Sequence, residues 1–329
     1  MNTQTSPELA DRMAGYLALR RALGYRLLAE EKVLAEYVTF AVARGVHTVT
    51  VSMTAGWAES RPGLSPAAVA RRASTVRRFA QYLRAFDPDC EQVPAKLVGG
   101  PAQRRAPFIF TAEQISALLE ATATISPPLW AAGARTLIGL LAATGLRPGE
   151  AWRLDDTDLT PTADGADGGQ GVLLIRCSKW GRTRQIPLHT TTLTALTDYQ
   201  QQREALRRSS LPESQDCPAL ILDGTGARLH TVGPSTTFRR LLAETGIIAP
   251  PGQRAPRAHD LRHTFAVNTL RDWHAAGLAV QPRLGALSAY LGHVNPAHTY
   301  WYFQAVPELM TILGQRHDSH SAGNAEVTQ

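Results

Sequence analysis

Apolar side chains recur every three or four residues over the first 90 positions, the spacing of one helix face. The pattern predicts one helix that includes 9–17, a second that includes 33–41 and a short third over 53–59. A fourth begins after Ser65, because serine favours the N-cap position and Pro66 suits the first helical turn. The N-terminal region is therefore expected to be entirely helical.

The helical pattern stops at a segment rich in residues that favour turns. Residues 86–107 contain four prolines and two adjacent glycines, a composition typical of a connection between domains. After 314 the sequence is polar and has no apolar period. We expect a helical domain over 1–98, a linker over 99–107, a second domain over 108–313 and a flexible tail over 314–329.

The second domain combines helices with a short pair of strands. Thr111 and Gln114 have the spacing of a capping box, and the alanine-rich run 129–143 predicts a buried helix. Residues 172–176 and 184–188 predict two strands with a turn between them. Further helices are expected at 190–208, at 234–245, from His259 onward, and up to a stop at Gly292. The predicted fold is mainly α with a small β-sheet.

Composition adds a charge argument to this outline. The net charge is +6, which favours an anionic partner such as nucleic acid. No apolar run approaches the roughly 20 residues of a membrane span, and the polar N-terminus predicts no signal peptide. The three cysteines are far apart and odd in number, which fits a reducing compartment. We expect a cytoplasmic protein associated with the nucleoid.

Arginines at three places are candidate DNA contacts, because guanidinium groups bind the phosphates of a duplex. The alternative is that these arginines lie on an ordinary solvated surface and bind no DNA. The candidates lie on the fourth helix, in the linker and in or beside the turn between the strands: Arg71, Arg72, Arg77, Arg78, Arg104, Arg105, Arg182 and Arg184.

Six residues of the second domain have the types that phosphodiester transfer needs. Arginine forks match the non-bridging oxygens of a phosphate, and no metal or other cofactor is then required. Singly, each residue has a structural explanation, such as closing a loop or filling a core. Together they form one candidate site: Arg147, Lys179, His259, Arg262, His293 and Tyr302.

The candidate roles follow from proton chemistry. Tyr302 offers a phenol that would attack phosphorus, and His259 is the candidate base for its proton. Lys179 is one of only three lysines, and unlike arginine it can release a proton near neutral pH. It is the candidate acid for the departing oxygen, although a lysine in an exposed turn also needs no function.

Four stretches resemble the tyrosine recombinases of the phage integrase family. They are Thr-Gly-Leu-Arg147-Pro-Gly-Glu150, Ser-Lys179-Trp-Gly-Arg-Thr-Arg, His259-Asp-Leu-Arg262-His263-Thr-Phe-Ala and Leu-Gly-His293. The family's six active-site positions carry over to the six residues named above, with Tyr302 nine positions after His293. Glu150 and His263 match supporting positions. The 259–293 segment is longer than in many relatives, and Tyr300 offers a competing phenol.

The resemblance implies a SAM-like helical core-binding domain followed by an α+β catalytic domain, both bound to double-stranded DNA. It also implies site-specific recombination through a 3′-phosphotyrosine link and a Holliday junction, without ATP. Four copies would act on two DNA sites, from a protein that is monomeric when free, and accessory recombinases are possible partners. The ending Thr-Tyr-Trp-Tyr302-Phe resembles recombinases of transposons and integrated elements, which implies integration or transposition of a mobile element.

Three other functions remain open from the residues. A type IB topoisomerase uses the same chemistry to relax supercoils without exchanging partners. A metallohydrolase would use His259, His263 and His293 as ligands, although Arg262 would repel the ion. A DNA-binding protein that has lost catalysis would keep the fold alone.

Overall fold

The computed structural model describes residues 8–25, 27–100, 106–161, 171–176, 183–211, 216–230, 233–293, 295 and 299–302. Its contacts divide the chain into two compact units, Met1–Arg104 and Arg105–Gln329, a division that lies inside the predicted linker. Within the described ranges, every helix is too short or too polar to span a bilayer. The predicted tail, 314–329, lies outside the described residues.

Where the structure describes it, the first unit has four helices around one apolar core. Tyr37, Trp57 and Phe79 are almost fully buried at its centre. Ser65 accepts a hydrogen bond from the Ala68 amide at 3.3 Å, which confirms it as an N-cap. The helices are α1 (Leu9–Ala22), α2 (Leu28–Val42), α3 (Val51–Glu59) and α4 (Pro66–Leu83).

The second unit has seven α-helices among its described residues. Thr111 and Gln114 form the predicted capping box at the first of them. The alanine-rich helix α6 is buried and packs against α8 and α10, so it organises the core of this unit. The helices are α5 (Ala112–Ala121), α6 (Pro128–Thr144), α7 (Pro148–Ala151), α8 (Thr190–Ser210), α9 (Gly233–Glu244), α10 (His259–Ala275) and α11 (Val280–Leu291).

Three antiparallel strands form the small sheet among the residues that the structure describes, in the order β1 (Leu159–Pro161), β2 (Gly171–Ile175) and β3 (Arg184–Leu188). The β2–β3 pair was predicted, and Ile175 pairs with Arg184 at the end of the pair next to the connection between the strands. The sequence analysis missed β1. The mainly α fold with a small sheet is confirmed.

Candidate active site

The turn after α6 brings two parts of the site together. Gly145 ends the helix with φ +60°, a left-handed conformation that glycine adopts without strain. A Cβ at this position would collide with the ring of Phe265 on α10, so the two helices approach closely. The chain then turns, and Arg147 becomes the N-cap of the short helix α7.

Arg262 lies at this approach, on α10, with 1% of its surface exposed. Its Nη1 donates to the carbonyl of Gly145 at 2.9 Å, and its Nη2 donates to the carbonyl of Leu291 at 2.5 Å. Burial, followed by the positive charge of Arg147, lowers the pKa of Arg262 to about 10. Arg262 remains a cation at neutral pH, held in one orientation by protein carbonyls.

Arg147 is bound by its neighbour Glu150 on one side and by α11 on the other. Its Nη1 donates to Glu150 Oε1 at 2.8 Å, and its backbone N–H donates to Glu150 Oε2 at 3.0 Å. Its Nη2 donates to the carbonyl of Gly292 at 2.8 Å. Both guanidinium groups, those of Arg147 and Arg262, are therefore attached to the end of the same helix.

A third arginine, Arg184 on β3, completes the set. Its Nε donates to the carbonyl of Tyr290 at 2.9 Å. The carbonyls of residues 290–292 thus bind Arg184, Arg262 and Arg147 in turn. Cations are favoured where a helix ends, because its last carbonyls carry a partial negative charge. The arrangement fixes the end of α11, which leads directly into His293.

Glu150 holds Arg147 and Arg184 together. Arg184 donates from Nη1 and Nη2 to the two oxygens of Glu150, at 3.0 and 2.8 Å. Burial opposes ionisation of this carboxyl, but the Arg184 hydrogen bonds and charge and those of Arg147 outweigh it and lower its pKa to about 2. We predicted Arg184 as a DNA contact, but its described contacts place it inside the protein as a link between β3, α7 and α11.

Tyr302 is buried beside this cluster, with 1% of its surface exposed. Its hydroxyl lies 3.0 Å from Nδ1 of His263, near the positive charges of Arg262 and Arg147. Burial raises its pKa, against the charges of Arg262 and Arg147. His293 stacks on its ring at 6.5 Å between centroids, with Nδ1 bonded to the Thr299 hydroxyl at 2.8 Å.

The two histidines of α10 lie one turn apart, in edge-to-face contact at 4.9 Å between ring centroids. Burial, then the charge of Arg262, lowers the pKa of His259 to about 4. Burial, then His259 and Arg262, lowers the pKa of His263 to about 3. Both rings are therefore neutral near pH 7. We predicted His259 as the base, yet the ring nitrogen bonded to the phenol belongs to His263.

Comparison with known proteins decides the family. The model of the phage integrase family matches residues 109–308, which is more than half of the chain. The chain belongs to the phage integrase family. An integrase/recombinase of Sinorhizobium fredii, y4rB, is 33% identical over 300 residues, which cover 90% of this chain and 92% of the relative.

Two further similarities agree with this family. The tyrosine recombinase XerC of Alcanivorax borkumensis is 29% identical over 74% of this chain and 70% of its own length. A lambda integrase, solved as a tetramer bound to a Holliday junction, has the same fold. Its TM-score is 0.54 at 20% identity, over 81% of this chain and 74% of that one. The predicted membership of the tyrosine recombinases is confirmed.

The described part of this integrase thus brings together Arg147, His259, Arg262, His293 and Tyr302. Tyr300 differs from Tyr302 in being 47% exposed. Four of the predicted residues lie outside the described residues: Lys179, Arg182, Arg104 and Arg105.

The arginines of α4 differ in their surroundings. Arg71 and Arg78 are exposed, and Arg77 is half-buried. Arg72 lies over the Trp57 ring at 4.0 Å and pairs with Glu36 at 3.3 Å, so its guanidinium stabilises the helical unit. Arg71, Arg77 and Arg78 remain the candidates for phosphate contact on this helix.

A metal centre was one of the functions left open from the sequence. Within the described ranges, no three histidine, cysteine, aspartate or glutamate side chains cluster as metal ligands would. Arg262 lies beside His259 and His263 and, as a buried cation, would repel a metal ion.

Proposed function

We propose that this integrase is a site-specific DNA recombinase in which Tyr302 attacks a DNA phosphodiester. The attack forms a 3′-phosphotyrosine link and releases a 5′-hydroxyl. The 5′-hydroxyl of a partner duplex would then attack the phosphotyrosine link and release Tyr302. The observation that carries the proposal is the 3.0 Å contact of the Tyr302 hydroxyl with Nδ1 of His263, within the electrostatic influence of Arg262 and Arg147. These are a nucleophile, a proton acceptor and cations for one phosphate.

The arginines would stabilise the charge that gathers on the phosphate oxygens during attack. Arg147 and Arg262 are held by carbonyls of the protein before any substrate binds. Donors that are fixed in advance need no reorganisation as the charge develops, and each contributes about a hundredfold or more in rate. His293, beside the Tyr302 ring, would add a further donor to the same oxygens.

Lys179 would supply the proton that the departing 5′-oxygen needs. The residue follows β2, whose last residue pairs with Arg184. Because Arg184 is bound to Glu150, and Glu150 to Arg147, the turn end of the β2–β3 pair is attached to an arginine that would bind the phosphate. A proton donor carried by the hairpin would therefore start close to the reacting phosphate.

On a larger scale, the 1–98 and 108–313 domains would both bind the duplex. The net charge of +6 and the exposed Arg71 and Arg78 support contact with phosphates. Four copies would exchange strands between two DNA sites through a Holliday junction, the DNA in the similar lambda integrase tetramer. The ending around Tyr302 favours integration or transposition of a mobile element, which would place the protein at the nucleoid.

Capture of a covalent adduct tests the proposal. Wild type, Tyr302→Phe and Tyr300→Phe are expressed with DNA that carries the flanks of the gene, and protein-linked DNA is recovered under denaturing conditions and sequenced. Adducts with wild type and Tyr300→Phe, but not with Tyr302→Phe, are expected. Tyr300 is the matched control because it is an exposed tyrosine two positions away. An adduct with Tyr302→Phe would refute the assigned nucleophile.

A further inference from the structure

His263 is within hydrogen-bond distance of the Tyr302 hydroxyl. Its Nδ1 lies 3.0 Å from the Tyr302 hydroxyl, although the residues are 39 positions apart. The His263 ring is held by edge contacts with His259, at 4.9 Å, and with Trp301, at 5.8 Å between centroids. Its side chain is 15% exposed, so bulk water has little access to the nitrogen that faces the phenol.

We propose that His263 accepts the proton of the Tyr302 hydroxyl during cleavage and returns it during ligation. The inference rests on the proposed function, in which Tyr302 is the nucleophile. It assigns to His263 the role that the sequence suggested for His259. A base must lie within hydrogen-bond reach of the proton it removes, and His263 meets that condition.

The step balances without a further reactant. The bond from the Tyr302 oxygen to phosphorus forms, while the bond from phosphorus to the 5′-oxygen breaks and its electron pair leaves with that oxygen. The phenol proton moves to Nδ1 of His263, which becomes an imidazolium. The 5′-oxygen takes its proton from a separate acid, which the sequence predicts to be Lys179. Ligation runs the same transfers backwards.

The surroundings explain why the proton moves only when DNA is bound. Burial and the neighbouring cations keep the ring neutral in the free protein. A neutral ring has one unprotonated nitrogen, and the proposal requires that this nitrogen is Nδ1. A bound phosphodiester places negative charge among those cations and offsets their effect on an imidazolium. The Asp260 carboxylate, 4.0 Å from Nε2, stabilises the same charge. The titratable and charged groups facing the ring are Arg254, Arg257, His259, Asp260, Arg262 and Tyr302.

Cleavage kinetics test the proposal with His263→Asn, and His259→Asn is the matched control one turn away. The probe is a synthetic duplex of the sequence recovered from the covalent adduct. It is made with either oxygen or sulfur at the 5′-leaving position, and single-turnover adduct formation is followed from pH 6 to 9. A thiolate leaves without an acid, so the sulfur duplex isolates removal of the phenol proton.

We expect His263→Asn to slow cleavage roughly a hundredfold or more at pH 7 on both duplexes. Its rate should then rise about tenfold for each pH unit, because hydroxide replaces the missing base. His259→Asn should keep the pH dependence of wild type. A wild-type pH profile for His263→Asn, or a defect that disappears with the sulfur duplex, would overturn the proposal.

Nitrogen NMR of the free protein gives a second test that needs no DNA. The His263 ring should be neutral with its proton on Nε2, and the Nδ1 signal should shift in Tyr302→Phe. A proton on Nδ1 would mean that His263 donates to the phenol, and the inference would be wrong. An adduct formed by Tyr302→Phe would instead overturn the proposed function, so the two failures are distinguishable.

Discussion

The buried carboxylate of Glu150 allows one prediction with a calculated magnitude. It accepts hydrogen bonds from Arg147 and from both terminal nitrogens of Arg184, and its pKa falls from 4.5 to about 2. That difference in pKa corresponds to about 3 kcal/mol of folding stability at neutral pH. Glu150→Gln should therefore lower the free energy of unfolding by about 3 kcal/mol at pH 7.

The pH dependence has a definite sign. A carboxyl whose pKa is lowered by folding contributes stability that is complete above its unfolded pKa and is lost as pH falls through its folded pKa. The difference between wild type and Glu150→Gln should therefore shrink to less than half of its pH 7 value at pH 3. The measurement is urea unfolding at both pH values, followed by tryptophan fluorescence, to which Trp152, a half-buried residue two positions from the substitution, contributes.

Glu244→Gln is the control, because Glu244 is half-exposed and pairs with Arg240 at 3.3 Å on the surface. Its effect should stay within about 1 kcal/mol. The reasoning is refuted if Glu150→Gln costs no more than this control at pH 7. It is also refuted if the cost is as large at pH 3 as at pH 7.

Three further predictions concern positions where the structure separates similar residues. Arg184→Gln should slow cleavage and leave DNA affinity and its salt dependence unchanged, because the side chain binds protein groups. If the slope of log affinity against log salt concentration instead became smaller by about one, Arg184 would contact a DNA phosphate after all. Gly145→Ala should cost about 1–3 kcal/mol more in thermal or urea unfolding than Gly246→Ala, since both have positive φ but only the first collides with a neighbour. Arg71→Gln should weaken binding to all duplexes and reduce the salt slope by about one, measured by fluorescence anisotropy. Arg72→Gln should mainly lower the melting temperature, because its guanidinium packs on Trp57. If Arg71→Gln lowered the melting temperature and Arg72→Gln weakened DNA binding, the roles given to these two arginines would be wrong.

Local signals made much of the fold predictable. Two helix starts were predictable from caps that act within three residues. The structure has both caps, the Ser65 N-cap and the capping box of Thr111 and Gln114. Gly145 and Gly292 mark helix ends, and both adopt the left-handed conformation there. Strand β1 was missed because three residues, one of them proline, are too short for an alternating pattern.

The contacts of the site join residues that are far apart in the sequence, so the sequence alone did not reveal which residues are partners. Arg184 was predicted as a DNA contact because a basic residue beside a turn shows its charge but not its partner, Glu150, 34 positions away. Arg72 was grouped with its exposed neighbours for the same reason, although it packs on Trp57. The spacing of four residues from His259 was the one signal that His263 shares its helix face.

The central claim is that Tyr302 becomes covalently linked to DNA. Mass spectrometry of the recovered adduct, after digestion of the DNA and the protein, identifies the residue that carries the nucleotide. The account predicts a peptide with a 3′-phosphate-linked nucleotide on Tyr302. A nucleotide on Tyr300 or on any other residue would contradict it.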